Sequence, residues 1–209
     1  MQVQTQPSHV QRSLAAGFAN PVFDSQAAFR ATMEAFARPG RIRPISATTL
    51  PGAPLLPSAA ALVLALCDFE TPLHLSAHFA GLSGVAEFLR FHSGAPQVTE
   101  PSRAAFAVLD LDHDVLDLAS FAQGTPEYPD RSTTIIGCCA SLEAEEALVA
   151  TGPGIAGVCK LGIAGLPADF VTQWAANRAS FPLGVDIIFA APGGIMGLPR
   201  SSRIVGEAR

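Results

Sequence analysis

Two short, nearly uninterrupted apolar runs constrain the fold of this chain more than any other feature. Residues 104–111 and 185–190 contain few polar positions, which is typical of strands covered on both faces. Segments with helical spacing of apolar residues lie between and around these runs. Strands that alternate with helices predict an α/β fold of three layers, in which a mixed central sheet lies between helical layers.

Helices are predicted where apolar side chains recur every three or four positions: residues 24–37, 59–67, 84–91 and 168–180. We expect Asp24 to cap the first of these helices. Its apolar face is predicted to carry Phe29, Met33 and Phe36. The second helix is apolar all round, which indicates burial on every side. Gly94 marks the end of the third helix.

Further strands are expected in β-branched or apolar segments: residues 72–76, 133–142 and 147–151. A last segment, residues 196–205, is predicted to form an exposed strand or hairpin arm, and residues 115–122 a short helix. The chain contains no segment long and polar enough to mark a domain boundary. We therefore expect one domain over residues 17–209, after a disordered or frayed N-terminus at 1–16.

The composition excludes several classes of protein. Of the 209 residues, 49% are hydrophobic and 15% are charged, which excludes a long disordered chain. The formal net charge of −5 argues against non-specific nucleic-acid binding. No apolar stretch reaches the roughly 18 residues that a membrane span needs. The apolar surplus instead suggests burial at a subunit interface.

The cysteines and the polar N-terminus favour a cytoplasmic protein. Residues 1–13 have no basic and then apolar pattern of the kind that directs secretion. The cysteines form no C-x-x-C pair, and we expect reduced, mostly buried thiols at all four positions: Cys67, Cys138, Cys139 and Cys159.

Histidines and aspartates offer two weak metal motifs. His74 and His78 are four residues apart and share one face of a helix or strand, with His92 as the nearest third ligand. The D-x-D-x-D motif that begins at Asp110 resembles the start of a calcium loop but lacks the required glycine and glutamate. We favour structural histidines and a solvated turn, and so expect no metal.

Cofactor motifs are equally weak. Residues 152–157 match G-x-G-x-x-G, but no helical pattern follows before about residue 168, so a tight turn is favoured over a dinucleotide site. Lys160 is the only lysine, which argues against covalent binding of pyridoxal phosphate. The sequence also lacks a nucleophile elbow and a phosphate-binding loop of the Walker type. We expect no cofactor and no catalytic residue.

Five residues are candidates for binding a ligand or a partner. The guanidinium group of arginine can donate two hydrogen bonds to phosphate or phosphonate oxygens. Three arginines, Arg38, Arg41 and Arg43, surround a Pro-Gly turn after the first helix. Cations there also complement the helix dipole, which is the favoured alternative. With two loop arginines and the histidine after the third helix, the candidate set is Arg38, Arg41, His92, Arg131 and Arg200. For His92, a binding role and a helix-capping role are equally open.

Seven strings in order resemble the PhnH family, a subunit of the bacterial carbon–phosphorus lyase core complex. They are GFANPVFDSQAAFR at 17–30, RPG at 38–40, CDFETPLHL at 67–75, LRFHSGAP at 89–96, GPGI at 152–155, FPLGVD at 181–186 and LPR at 198–200. The resemblance extends from about residue 17 to about residue 202 and is weakest over residues 128–131.

The resemblance implies a function in phosphonate breakdown. In this family the subunit assembles with PhnG, PhnI and PhnJ, assisted by PhnL, in a complex that replaces the adenine of ATP by a phosphonate. The nucleosidase-type chemistry is attributed to PhnI, and a radical step on PhnJ later cleaves the carbon–phosphorus bond. The implied fold is similar to that of pyridoxal-phosphate-dependent transferases without the cofactor site, and the implied assembly is a homodimer.

Three functions therefore remain open at the level of the sequence. The favoured one is an accessory, non-catalytic subunit needed for transfer of phosphonate onto the ribose C1 of ATP. The second is a module that binds nucleotide or phosphonate anions through the arginines and His92. The third is a free-standing enzyme on an altered transferase fold, which would use Lys160 or the histidines.

Overall fold

The computed structural model describes residues 16–45 and 55–207 of the chain. The predicted N-terminal segment, 1–16, lies outside the described residues except for its last residue. Five helices are described: α1 (Pro21–Ala37), α2 (Pro57–Leu66), α3 (Ala77–Ala80), α4 (Ser83–Ser93) and α5 (Phe170–Ala179). Short 3₁₀ turns occur at Pro101–Arg103 and Leu118–Ser120.

The strands are β1 (Leu73–Leu75), β2 (Gln97–Val98), β3 (Phe106–Asp110), β4 (Thr134–Cys138), β5 (Leu148–Thr151), β6 (Cys159–Leu161), β7 (Asp186–Ala191), β8 (Gly194–Leu198) and β9 (Arg203–Glu207). Six of them form the central sheet in the order β2-β1-β3-β4-β7-β8. All pairs in this sheet are parallel except β7 with β8, which form an antiparallel hairpin. The prediction of an α/β fold with a mixed central sheet is confirmed.

Each face of the central sheet packs against its own hydrophobic core, because successive strand residues point to opposite faces. In β3, Val108 points to a core formed with α2, α3 and α4, whereas Ala107 and Leu109 point to the other face. That second core contains Phe170 and Trp174 of α5 and residues of the smaller antiparallel sheet, β6-β5-β9. The result is three layers, with the six-stranded sheet in the middle.

Helix α1 differs from its prediction in both its start and its orientation. It begins three residues before Asp24, because Asn20 is the N-cap and its backbone N–H donates to the Asp24 carboxylate at 2.8 Å. The side chains that face the core are small ones, Ala28, Thr32 and Ala35. Small residues are needed there because α1 approaches β8 closely.

The expected apolar face of α1 is therefore mostly exposed. Phe29 and Met33 are 50% and 55% exposed, and only Phe36 of the predicted face packs against the first core. The prediction that these three side chains form the buried face was wrong, since helical spacing identifies an apolar face without saying what covers it.

Two further predictions differ from the structure, and strands β2 and β6 were not predicted. The segment predicted as an exposed strand or hairpin arm, 196–205, is the end of β8 and most of β9. Strand β8 does form a hairpin with β7, but it is buried throughout. The helix predicted at 115–122 is only the 3₁₀ turn Leu118–Ser120. Strands β2 and β6 are too short for a sequence pattern. Helix α3 was not predicted either. The remaining helices and strands lie within a few residues of their predicted positions, and Gly94 ends α4 in the left-handed conformation, with φ 73°.

All four cysteines are free thiols, as predicted; three are buried and Cys159 is half-buried. In the part of the chain that the structure describes, no helix combines the length and apolarity required to cross a bilayer.

Candidate functional site

The path of the chain changes direction between β1 and β3, which are adjacent and parallel in the sheet. After β1 the chain enters α3 and α4 on the first core, and β2 lies on the outer side of β1. After β3 the chain crosses to the second core, where Leu111, Leu116 and Leu118 are buried. Such a reversal opens a crevice at the carboxyl ends of the two strands, the usual binding position in open α/β sheets.

Two histidines and an aspartate meet at this crevice. His78 follows β1, Asp110 ends β3, and His113 lies three residues further on. The Nδ1 atom of His113 is 3.1 Å from Oδ1 of Asp110, and Nε2 of His78 is 3.8 Å from Oδ2 of the same carboxylate. The two imidazole rings are stacked, with centroids 4.4 Å apart and an interplanar angle of 14°. A carboxylate and two imidazoles thus form one compact polar group.

The backbone around this group is held by a neighbouring carboxylate. Asp114 accepts hydrogen bonds from the backbone N–H of Asp110 at 2.8 Å and of His78 at 3.4 Å. The N–H of Asp112 donates to Oδ1 of Asp110 at 3.0 Å. The D-x-D-x-D motif is therefore a tight turn in which side chains accept from backbone groups. It links the two strand ends that carry the histidines.

The electrostatics of the crevice favour cations. The hydrogen bond and the negative charge of Asp110 raise the pKa of His113 above its ordinary value. A cleft of about 570 Å³ continues from Asp114 and is lined by two more acidic side chains, Asp117 and Asp169. Direct binding of a phosphonate or triphosphate to this edge would bring like charges together.

The three histidines considered together in the sequence do not form a group. His74 places Nδ1 3.1 Å from the carbonyl oxygen of Val98, at the edge of the sheet. His92 lies in the last turn of α4, with its ring centroid 4.5 Å from that of Phe88. Over residues 16–45 and 55–207, the potential metal donors that come together are those of His78, Asp110 and His113.

Sequence reasoning missed His113. The available signal was an acidic turn containing a histidine directly after one buried strand, together with a histidine after the adjacent strand. Whether the two strands are adjacent depends on the order of strands in the sheet, which the spacing of residues in the sequence does not reveal.

Arg200 is held by several internal contacts. Its Nε donates to Oδ2 of Asp186 at 3.0 Å, and Nη1 donates to the carbonyl oxygens of Pro129 at 3.0 Å and Pro182 at 3.3 Å. Its Nη2 contacts Asp186 and the hydroxyl of Ser132. This geometry suits the joining of loops, and a ligand role for Arg200 stays a prediction.

The other arginine candidates lie apart from the crevice. Arg38 is the C-cap of α1, where its N–H donates to the carbonyl of Glu34, and both Arg38 and Arg41 have exposed side chains. Arg131 is exposed, with its guanidinium carbon 4.0 Å from the ring centroid of Tyr128. Anion binding by these residues stays a prediction.

Two of the family-like strings pack against each other. A Cβ on Gly154 would lie 2.1 Å from the carbonyl oxygen of Ala37, and a Cβ on Gly40 would lie 2.5 Å from Sγ of Cys159. The glycine string at 152–157 is thus a turn between antiparallel β5 and β6, as predicted, and it closes against the end of α1. Lys160 is exposed on β6, in the smaller sheet.

A second surface of interest is the outward side of α1. We define the α1 outer face by four apolar side chains that are all at least half exposed: Val22, Phe23, Phe29 and Met33. Val22, Phe29 and Met33 share one side of α1, and Phe23 lies about a quarter of a turn away at the start of the helix. Exposed apolar side chains of this size on one helix are typical of a protein–protein interface.

Comparison with known proteins gives concordant matches. Residues 16–205 match the family model described as bacterial phosphonate metabolism protein (PhnH). The chain is 40% identical over 190 residues to the alpha-D-ribose 1-methylphosphonate 5-triphosphate synthase subunit PhnH of Rhizobium meliloti (strain 1021), covering 91% of this chain and 94% of that protein.

A second relative, from Stutzerimonas stutzeri, is provisionally named as the C-P lyase subunit protein HtxG. It is 30% identical over 180 residues, which cover 86% of this chain and 85% of the relative. The matches extend over both the central sheet and the smaller sheet. The chain therefore belongs to the PhnH family of bacterial phosphonate metabolism proteins.

Proposed function

We infer that this chain is an accessory subunit of a carbon–phosphorus lyase core complex that acts on organic phosphonates in the cytoplasm. The complex transfers phosphonate onto the ribose C1 of ATP and displaces adenine. The names of the two relatives, a subunit of a ribose 1-methylphosphonate 5-triphosphate synthase and a C-P lyase subunit, support this function. The structural observation that carries it is the α1 outer face.

The α1 outer face is suited to bind another protein subunit. Val22 and Phe23 are 73% and 67% exposed at the start of the helix, and Phe29 and Met33 extend the surface along it. Exposed aromatic side chains and methionine are enriched in the centres of protein interfaces. Burial of these side chains against a partner would remove their apolar surface from water, which stabilises the complex by about 25 cal/mol per Å² of apolar area.

The partners in this proposal are a second copy of the chain and the PhnG, PhnI and PhnJ subunits, with PhnL assisting. Catalysis takes place in another subunit. Two observations support that division: the Arg200 guanidinium is used in internal contacts, and the only lysine is exposed on β6 rather than placed at the central sheet. The central sheet is then a pyridoxal-phosphate-transferase-type core without the cofactor site.

The test is assembly of a variant with a charged α1 outer face. The chain carrying Phe29→Asp and Met33→Asp is co-expressed with the other core subunits, and the complex is analysed by size-exclusion chromatography with light scattering. We expect the wild-type chain to form a dimer alone and to co-elute with the complex. The double variant should lose one or both associations while its circular dichroism spectrum stays unchanged.

Val158→Asp is the matched control, because Val158 is an exposed apolar residue in the loop before β6. It should assemble like the wild-type chain. A wild-type chain that is monomeric and elutes apart from the other subunits would refute the proposed function. Undiminished association of the double variant would refute the role of the α1 outer face.

A further inference from the structure

We propose that His78, Asp110 and His113 bind one divalent transition-metal ion at the reversal point of the sheet. The expectation from the sequence was that this chain has no metal site. The ligands come from the ends of two adjacent parallel strands. The proposal goes beyond the assembly function, because an accessory subunit needs no metal in order to bind its partners.

The distances among the three side chains are close to those of a metal site. Nitrogen and oxygen donors bound at about 2.1 Å around one tetrahedral ion lie roughly 3.4 Å apart. The carboxylate oxygens of Asp110 lie 3.1 Å from Nδ1 of His113 and 3.8 Å from Nε2 of His78. One donor atom from each side chain lies within 4.8 Å of the others. The two distances to Asp110 are therefore within a few tenths of an ångström of this separation, whereas the two imidazole nitrogens reach one ion only after a ring turns.

One ring must turn before the ion binds. The nitrogen lone pair of an imidazole lies in the plane of its ring, and the planes of the two stacked rings are nearly parallel and do not meet at one ion, so both rings cannot coordinate it in the stacked arrangement. The side chain of His113 is 59% exposed, whereas that of His78 is 28% exposed. The His113 ring is therefore the one that leaves the stack, while His78 and Asp110 keep their positions.

The surroundings hold the carboxylate and the His78 backbone in place for coordination. The Asp112 N–H donates to Oδ1 of Asp110, and the Asp114 carboxylate accepts from the backbone N–H groups of Asp110 and His78. Hydrogen bonds of this kind orient ligands and are a regular part of metal sites. Binding of a cation also relieves the repulsion among the closely spaced carboxylates of the acidic turn.

The donor set selects the class of ion. Two imidazoles and one carboxylate suit zinc, cobalt and other borderline transition metals, whereas magnesium and calcium prefer oxygen ligands alone. Three protein ligands leave a coordination position open toward the crevice, for water or for an oxyanion. A metal would thus let an acidic crevice accept a negatively charged group.

The experiment is metal titration of the full-length chain, with any affinity tag removed and prior metal stripped by a chelator. Cobalt binding is followed by visible absorption, and zinc binding by calorimetry. We expect one ion per chain with a dissociation constant below about 10 μM. His113→Ala and His78→Ala should each weaken binding by more than about tenfold. Magnesium in large excess should not displace the cobalt absorption.

Two controls separate coordination from general attraction to acidic residues. Asp112→Asn removes a neighbouring charge but no proposed ligand, so it should weaken zinc binding far less than the histidine variants do. His92→Ala removes a histidine outside the group and should bind zinc like the wild-type chain. His113 is largely exposed, so His113→Ala should keep the folded circular dichroism spectrum. The proposal is overturned by the absence of zinc binding in the wild-type chain, by wild-type affinity in both histidine variants, or by equal weakening in Asp112→Asn. None of these outcomes bears on assembly with the other subunits.

Discussion

Arg200 and Asp186 are joined through both main chain and side chain. The Asp186 carboxylate accepts from the backbone N–H of Arg200 at 2.7 Å and from its Nε at 3.0 Å. The same guanidinium reaches the carbonyl oxygens of Pro129 and Pro182. One side chain thereby connects the start of β7, the turn after β8 and two loops that are distant in sequence.

Replacement of Arg200 by alanine should lower the free energy of unfolding by about 3 kcal/mol, because it leaves a half-buried carboxylate without its counter-charge. Arg200→Lys should recover little of this loss, since an ammonium group cannot make the forked contacts. Urea denaturation gives the measurement. Arg131→Ala is the control, because it removes an exposed cation–π contact worth at most about 1 kcal/mol. Equal stability of the Arg200→Ala and Arg131→Ala variants would contradict this role.

Gly154 and Gly157 form a matched pair for a second prediction. Both have φ +81°, but a Cβ on Gly154 would lie 2.1 Å from the Ala37 carbonyl oxygen, whereas a Cβ on Gly157 meets nothing within 4 Å. Gly157→Ala should therefore cost only backbone strain of about 1–2 kcal/mol. Gly154→Ala should cost at least about 3 kcal/mol, since the turn must also move away from α1. Thermal unfolding of the two variants measures the difference, and similar losses would refute the close packing of the turn on α1.

The thiols should differ sharply in reactivity. Burial raises the pKa of Cys67 and of Cys139 to about 12, with the charge of Asp68 contributing at Cys67. Burial also raises the pKa of Cys138 and, at its half-buried position, that of Cys159. We expect Cys159 to react first with a thiol reagent at pH 8, and the other three only after addition of denaturant.

The same pKa shifts have a consequence for stability. The thiol pKa values are higher in the folded chain than in the unfolded chain. The resulting contribution to the free energy of unfolding is fully present at low pH and is lost as the pH rises above roughly 8.5, the ordinary thiol pKa.

Cys159→Ser is the control for thiol reactivity. It should abolish the fast reaction with the thiol reagent and leave the slow reaction of the three buried thiols intact. A fast phase that persists in that variant would show that a buried thiol is accessible.

His92 provides a test between its two roles. Its ring lies 4.5 Å from that of Phe88 and 5.0 Å from that of Phe91, and a Cβ on Gly17 would come within 2.9 Å of its Nδ1. Because the ring packs between a helix and the chain before α1, we expect His92→Ala to lower the free energy of unfolding by about 1 kcal/mol. Glu87→Ala, an exposed change in the same helix, is the control for urea denaturation. Unchanged stability of His92→Ala would favour a role in binding.

The sequence was most informative where burial is complete. The apolar runs that contain β3 and β7 predicted two buried strands, which the structure places on either side of β4, and the all-apolar segment around α2 predicted a buried helix. In each case, one side chain after another must avoid water, so the pattern does not depend on which neighbour covers it.

Predictions failed where the position of a side chain depends on which helix or strand packs beside it. The face of α1 was assigned wrongly because the approach of Gly197 to Ala35 admits only small side chains: a Cβ at 197 would lie 2.7 Å from the Ala35 carbonyl carbon. The set of site residues predicted from the sequence lacked His113 for a similar reason. His78 and His113 come from segments that meet only because β1 and β3 are adjacent.

The division of α1 into a small-residue inner side and a large-residue outer side has an evolutionary consequence. Under the proposed assembly, selection on molecular recognition would act on exposed Phe29 and Met33, whereas selection on folding would act on buried Ala28 and Ala35. The outer positions can diverge to match a changed companion protein without disturbing the seam between helix and sheet. Relatives with different assemblies are therefore expected to vary along the outside of α1 while they retain alanine-sized residues on its inside.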